Sequence, residues 1–349
     1  MPEFKIGTST IGPGQPCFII AEAGVNHNGS LETALKLVET AARAGANAVK
    51  FQTFHSERVV VRTAPKAAYQ KAATGAMESQ YEMIQRLELS DEAYIKISAC
   101  AKANHIEFLS TPFDFESADF LEKIGVPAFK LPSGEVTNLP FLEHVGRKGR
   151  PIILSTGMSS LGEVEDALAA LSASGNRAVA LLQCVSNYPA APDDSNLRCM
   201  QTLEQAFNVP VGYSDHTLGN EVAFAAVALG ACIIEKHFTL DRSLPGPDQQ
   251  ASATPDELRM LIEGIRKVEA ALGDGRKTRR PSEEDTAAVA RRSIVLNRDL
   301  PAGTLLSRDV LAILRPGTGL PPRLLPLVLG RKLRVDVKAG ALLELGMLV

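Results

Sequence analysis

The sequence predicts an α/β protein: a (β/α)8 TIM barrel followed by a small β-rich domain. Three observations predict it. Eight short apolar runs alternate with helical or loop crossovers between residues 17 and 273, and eight parallel strands joined in that way close a barrel of about 250 residues. Polar residues stand at the end of at least seven of the eight runs, where such barrels carry their chemistry. After residue 291 the texture changes to short strands with Pro and Gly. The expected divisions are a barrel over 1–273, an exposed linker over 274–290 and a separate module over 291–349.

Composition limits the function. With 45% hydrophobic and 22% charged residues, the chain is an ordinary globular protein. A formal charge of −3, no tryptophan and five tyrosines give no basic, aromatic-interleaved surface, so no nucleic-acid partner is expected. The five cysteines are scattered and form no CxxC pair, which reads as reduced thiols in a cytoplasmic protein. The opening MPEFKIGTST lacks the charged and apolar regions of a secretory signal. The most apolar long segment, 223–234, has 12 residues, where a bilayer needs about 20, so no membrane span is expected.

The elements follow in order. CFIIAEAG is the first strand. After Asn28-Gly29-Ser30 a helix takes over with apolar residues at helical spacing, ending near Gly45. AVKFQTF is the second, followed by a polar, irregular insertion over 55–79. EFLSTPF, AFKLPS, PIILSTG and VALLQCVS supply the third to sixth; Ser160 and Glu163 have capping-box spacing at the head of the helix before the last of these. The final barrel helix has Thr254 as N-cap, Pro255 at N1 and Glu257 at N3, and stops at Gly273. Residues 274–290 are charged, and the basic cluster there is followed at once by acidic residues, as in a solvated connector. In the tail, Asp299-Leu300-Pro301-Ala302-Gly303 is echoed 37 residues later by Asp336-Val337-Lys338-Ala339-Gly340. That duplication predicts a pseudo-symmetric module too small to stand without leaning on a barrel, its own or a partner's.

The seventh and eighth strands carry the sharpest signal. Residues 209–239 read VPVGYSDHTLGNEVAFAAVALGACIIEKHFT, a strand, helix, strand unit with Asn220 as expected N-cap and Gly230 as stop. Its two strands run parallel, so His216 and His237, 21 residues apart, leave one end of one sheet. Strand alternation puts Ser214 on the face of His216 and Glu235 on that of His237, with Asp215 and Lys236 on the opposite faces. For one isolated histidine, a hydrogen bond within the core is explanation enough. Two converging imidazoles with water and substrate oxygens suit a divalent metal such as Mn2+ better than structural zinc, which prefers four protein ligands. Lys50 and Lys130, at the second and fourth strand ends with nearby Ser and Thr hydroxyls, suit a phosphate or carboxylate anion; singly, either lysine reads as a rim side chain. Glu22 ends the first strand as a general acid or base, or as a salt-bridge partner of Lys50 or Lys130.

At this point the motifs resemble the sialic acid synthase family, N-acetylneuraminate synthase with its legionaminate and pseudaminate relatives. IIAEAGVNHNG, AVKFQTF, FLSTPFD, FKLPSGE, LSTGM, CVSNYPA, GYSDHTLG, EKHFTLDRSLPGPDQQAS and RPGTGL occur in order between residues 19 and 320, and the tail looks like an antifreeze-like (SAF) domain. The resemblance implies condensation of phosphoenolpyruvate with an N-acylated sugar aldehyde such as N-acetylmannosamine, or, in the legionaminate or pseudaminate alternative, a diacetamido-trideoxyhexose, giving a nine-carbon 3-deoxy-2-keto acid and phosphate. It implies that Lys50, Thr111, Lys130, Ser133 and Ser214 hold phosphoenolpyruvate, that His216 and His237 hold the metal (Mn2+, with Mg2+ or Co2+ as alternatives), and that Glu22, Glu135, Tyr188 and Asp248 face the sugar. Ser186 and Glu235 join the same site. The resemblance further implies a homodimer in which the antifreeze-like domain of one subunit, through Arg315, covers the other's barrel. Many relatives have His where this chain has Gln249, and some have Asn where it has Ser186; both positions are expected to border the substrates. The 55–79 insertion, where relatives place a further phosphoenolpyruvate contact, has no residue-by-residue match. Two rival readings remain: a Schiff-base aldolase using Lys130 or Lys50 as the amine, and a non-catalytic carbohydrate-binding protein with the barrel as scaffold.

Overall fold

The computed structural model describes residues 3–75 and 77–349; Met1 and Pro2 of the opening segment and Ala76 of the 55–79 insertion lie outside the described residues. The chain divides into two compact units, Met1–Gly273 and Asp274–Val349.

The first unit opens with a hairpin that the sequence pattern did not disclose, β1 (Phe4–Ile6) and β2 (Ser9–Ile11), paired antiparallel. Eight strands follow: β3 (Phe18–Gly24), β4 (Ala48–Thr53), β5 (Glu107–Pro112), β6 (Phe129–Leu131), β7 (Ile152–Ser155), β8 (Val179–Cys184), β9 (Val211–Asp215) and β10 (Ile233–His237). They form one sheet in the order β5-β4-β3-β10-β9-β8-β7-β6, every pair parallel. The two ends of that order, β5 and β6, touch, and the cylinder is all but closed.

Strand alternation sorts the side chains into two cores. Ile19, Val49, Phe108, Leu154, Leu181 and Ile234 point outward against the helices. Ile20, Ala48, Leu109, Ile153, Leu182 and Ile233 point inward and fill the barrel. Ile6 and Ile11 of the hairpin join this inner cluster, so the hairpin plugs the end of the barrel where the strands begin. Two residues further along most strands, the inward positions become Glu22, Lys50, Thr111, Ser155, Cys184 and Glu235. One face of each strand therefore starts apolar at the plug and finishes polar at the opposite mouth.

Local signals set the helix ends. Ser30, Ser160 and Thr254 each accept from the N–H three residues on, and Glu163 and Glu257 complete capping boxes. Asn220 occupies the expected N-cap position, but its side chain does not cap the helix. Its Nδ2 donates instead to the carbonyl of Glu257 at 3.1 Å, tying the helix Glu221–Ala228 to the helix Pro255–Leu272. The irregular insertion after β4 contains three short helices, Ser56–Val59, Ala68–Thr74 and Gln80–Gln85.

The second unit begins with an exposed charged segment that is more ordered than its composition suggested: a turn at Pro281–Glu283 leads into the helix Glu284–Ala290. Arg279 pairs with Glu284 at 2.8 Å and Arg280 with Asp274 at 3.2 Å, so much of the basic cluster is neutralised locally. The remaining module is built on β11 (Ser293–Leu296) and β12 (Leu311–Leu314). Its duplication is physical. Leu300 and Val337 exchange both backbone hydrogen bonds at 2.9 Å. Asp336 accepts from the N–H of Ala302 at 2.7 Å, and Asp299 accepts from the N–H of Ala339 at 2.8 Å.

Candidate active site

The mouth of the barrel holds a cavity of about 460 Å3, within the range of small-molecule sites. Its floor is made by the strand ends. Glu22, Lys50, Thr111, Lys130, Ser214, His216, Glu235 and His237 all border it, and loops add Ser133, Ser186, Tyr188 and Asp248.

The two lysines are buried among oxygens. Lys50 Nζ lies 2.8 Å from Glu22 Oε2 and 3.6 Å from Glu235 Oε2, and donates to Thr111 Oγ1 at 3.0 Å. Lys130 Nζ donates to Ser155 Oγ at 2.7 Å and to the carbonyl of Leu131 at 3.1 Å, and lies 3.6 Å from Glu235 Oε1. Ser133 Oγ accepts from the N–H of Gly157 at 2.9 Å. Two ammonium groups with converging hydroxyls make a cradle for a small, highly charged anion.

The two carboxylates differ in character. Burial pushes Glu22 up to about 7, with Lys50 opposing the shift. Burial also acts on Glu235, but Lys130, Lys50 and the Ser214 hydroxyl overcome it and hold the carboxylate down at about 2. Glu235 is thus a fixed negative charge between the lysines, whereas Glu22 takes up and releases a proton near neutrality. Burial likewise opposes charge on both lysines; Glu22 and Glu235 outweigh it for Lys50, which is raised, while Lys130 is lowered. Asp248 is pushed up by burial to about 6.

The imidazoles converge as the strand alternation requires. Their ring centres are 5.6 Å apart, and Tyr188 lies 4.1 Å from the ring of His216 and edge-on to His237. His216 Nδ1 is 2.6 Å from the carbonyl of Val185, which fixes its proton on Nδ1. The Ser214 hydroxyl donates to Glu235 Oε1 at 2.9 Å, so it has no proton for His216 Nε2, 3.3 Å away. Nε2 is therefore left with a bare lone pair. His237 Nδ1 is buried without a hydrogen-bond partner. Burial lowers both rings, His216 to about 4, which keeps them in the neutral form a metal ligand needs. Two unsatisfied ring nitrogens at one mouth fit a divalent cation. Among the described residues there is no group of three or more His, Cys, Asp or Glu that could hold one.

Asp215 and Lys236, on the outer faces of the same strands, form a buried ion pair at 2.6 Å, with Lys236 also donating to the carbonyl of Thr217 at 2.8 Å. The pair bridges β9 and β10 one residue before each histidine.

Two expectations need correction. Glu135 does not line the cavity: it closes the 3-10 turn Ser133–Glu135, which turns its side chain away from that of Ser133, and Asn138 Nδ2 holds its carboxylate at 2.6 Å. Gln249 does not line the cavity either. It is fully buried, donates to the carbonyl of Asn26 at 3.1 Å and accepts from the Thr239 hydroxyl, so it joins the loops after β3 and β10. Arg315 belongs to the second unit, directly after β12. The cavity also has members that sequence reasoning passed over. Gln52, Ser155 and Cys184 line it from the ends of β4, β7 and β8. Tyr69, whose ring lies 5.1 Å from that of Tyr188, sits in the irregular insertion, where no periodicity points inward.

Residues 37–277 match the NeuB family and residues 291–349 match the SAF domain. The chain is 48% identical over 341 residues to an N,N'-diacetyllegionaminic acid synthase from Legionella pneumophila, covering 97% of this chain and 96% of that protein. It is 35% identical to an N-acetylneuraminate-9-phosphate synthase from Mus musculus, covering 94% and 91%. The crystal structure of an N-acetylneuraminic acid (sialic acid) synthetase from Leptospira borgpetersenii in complex with citrate superposes with a TM-score of 0.72 at 36% identity, covering 82% of this chain and 95% of that one. With its barrel, its polar mouth and its SAF module, the chain belongs to the NeuB family.

Proposed function

We propose that the protein is a sialic acid synthase-type transferase that condenses phosphoenolpyruvate with an N-acylated hexosamine aldehyde, giving a nine-carbon 3-deoxy-2-keto acid and phosphate. The observation that carries this reading is the pairing of two buried lysines with two neutral, unsatisfied imidazoles at one barrel mouth. Lys50 and Lys130, with Thr111, Ser133 and Ser214, hold the phosphate and carboxylate of phosphoenolpyruvate. Ser155, hydrogen-bonded to Lys130, belongs to the same cradle. His216 and His237 would hold a divalent cation, Mn2+ in our reading, through the ring nitrogens left without a hydrogen-bond partner. When bound, that cation supplies Lewis-acid polarisation of the aldehyde carbonyl.

The chain's own groups do the rest. The lysines neutralise the anion and orient its enol carbon, C3, toward the aldehyde carbon. As C3 forms the new bond, the aldehyde oxygen gains charge, and Glu22, protonated near neutrality, donates to it. Water adds to the resulting cationic C2 and returns one proton to Glu22; the bond from C2 to the phosphate oxygen then breaks, the new hydroxyl passes its proton to the departing phosphate, and C2 becomes the ketone carbon. Glu235 remains ionised throughout and stabilises the positive carbon. Tyr188 and Asp248 line the side where the sugar enters. The diacetamido-trideoxyhexose used in legionaminate synthesis is the sugar we favour over N-acetylmannosamine, because the relative at 48% identity is a synthase of that kind. We also propose that the reaction takes place in the cytoplasm, a reading that the five unpaired cysteines support. We further propose a homodimer in which Arg315 of each tail completes the partner's mouth.

The reading is tested by incubating the purified protein with phosphoenolpyruvate and a panel of N-acylated aldoses and measuring phosphate. Release that requires both substrates, stops on chelation and returns with Mn2+ is the expected result. Borohydride trapping of pyruvate on Lys130 or Lys50 would replace the reading with a Schiff-base aldolase, and sugar binding without any phosphate release would replace it with a carbohydrate-binding role.

A further inference from the structure

The lysines of the cradle stand on strands, but Asp248 stands on a loop. The chain leaves β10 after His237, and its return pairs with its departure: the N–H of Thr239 donates to the carbonyl of Ala253 at 2.9 Å, and the N–H of Ala253 to the carbonyl of His237 at 2.8 Å. Within the loop, Arg242 donates to the carbonyl of Ser252 at 2.7 Å and pairs with Glu257 at 2.6 Å. The side chain of Asn26, from the loop after β3, lies at the point of closure, buried and outside the lining of the cavity. Its Nδ2 donates to the carbonyl of Phe238 at 2.8 Å and to Ser252 Oγ at 2.9 Å. Ser252 extends the link, its hydroxyl donating to the carbonyl of Asp248 at 2.6 Å. Gln249 fastens the same junction by donating to the carbonyl of Asn26 at 3.1 Å. Among the described residues, Asn26 Oδ1 is buried without a partner, so the amide acts through its two N–H groups alone.

We infer that Asn26 is a positioning residue of the active site: one amide sets the strand end that carries His237 and, through Ser252, the loop that carries Asp248. A side chain on a loop is held only as exactly as the loop is anchored, and a misplacement of about 1 Å costs on the order of 100-fold in rate. Without the amide donors, the buried carbonyl of Phe238 loses its partner and the junction shifts to find another. The inference rests on the synthase reading, in which His237 holds the cation and Asp248 lines the side where the sugar enters.

The test uses the full-length protein and two kinds of readout. One is Mn2+ affinity, from the electron paramagnetic resonance signal of the free ion. The other is the pair of KM values in phosphate release, for phosphoenolpyruvate and for N-acetylmannosamine or the diacetamido-trideoxyhexose, whichever the wild type turns over faster. Ser252→Ala cuts only the arm to Asp248, so the sugar KM should rise about 10-fold while Mn2+ affinity and the phosphoenolpyruvate KM stay as they are. Asn26→Asp matches the side chain in size but has no N–H. It should weaken Mn2+ binding about 10- to 100-fold, the usual cost of losing a group that orients a metal ligand, and raise the sugar KM as well. Asn176→Ala is the control for a purely structural role: this buried amide donates to the carbonyl of Arg150 at 2.7 Å just before β8, at the end of the barrel where the strands begin. It should lower the melting temperature and move neither readout. An unchanged sugar KM in Ser252→Ala, or unchanged Mn2+ affinity in Asn26→Asp, overturns the inference and leaves the synthase reading standing; if Asn26→Asp does not fold, Ser252→Ala decides. Absence of phosphate release by the wild type with either sugar removes the synthase reading itself.

Discussion

At the scale of single residues, strand parity did most of the work. Ser214 and His216 share one face of β9, Glu235 and His237 one face of β10, and Asp215 and Lys236 pair on the other side, all as alternation requires. Parity fails where the strand ends. Glu135 lies in a 3-10 turn and Gln249 in another, Gln249–Ala251, and the direction of such a side chain depends on turn geometry that residue spacing does not encode. Two predictions belong here. His237→Ala should lower turnover by on the order of 10^3-fold or more with the melting temperature little changed; retained activity would remove the imidazole pair from the mechanism. Glu22 is raised by burial to about 7, so the folded protein holds its proton more tightly than the unfolded chain does. The stability this contributes is complete below about pH 4.5, the unfolded value, and is lost as pH rises through about 7. Glu22→Gln should therefore flatten the fall in melting temperature between pH 5 and pH 8, and an unchanged slope would contradict the assigned proton affinity.

At the scale of elements, capping boxes and apolar periodicity placed the helices Leu31–Ala44, Leu161–Ala173 and Pro255–Leu272 well. The hairpin at the start escaped notice because its strands are only three residues each, too short for alternation to register. The insertion after β4 escaped for a related reason: its helices are four to seven residues long and most of their stability comes from tertiary packing, not from a repeating pattern. The outer ion pair gives this scale its prediction. Lys236→Met leaves the buried Asp215 carboxylate without its partner and should cost about 3–5 kcal/mol in urea unfolding. Combining it with Asp215→Asn should recover part of that loss. A single variant as stable as the wild type would show that the pair does not brace the two histidine-bearing strands.

At the scale of the molecule, the repeat of Asp299–Gly303 in Asp336–Gly340 was legible, and its reciprocal carboxylate-to-N–H bonds explain why both copies need the aspartate. What the tail does for the barrel was not legible from residue patterns, since the repeat records only bonds within the module itself. If each tail serves its partner, mixing Arg315→Ala with His237→Ala should restore activity to about a quarter of wild type, because half of randomly formed dimers are mixed and each mixed dimer has one intact site. No restoration in the mixture would mean that each tail serves its own barrel or none.

In our proposal two imidazoles and two lysines address one substrate pair at the barrel mouth. Anomalous diffraction at the manganese edge, from crystals soaked in Mn2+ and phosphoenolpyruvate, tests it most directly. The expected result is a single peak within bonding distance of the His216 and His237 rings, with the phosphate between Lys50 and Lys130. A peak elsewhere, or two rings turned away from a shared cation, would contradict it.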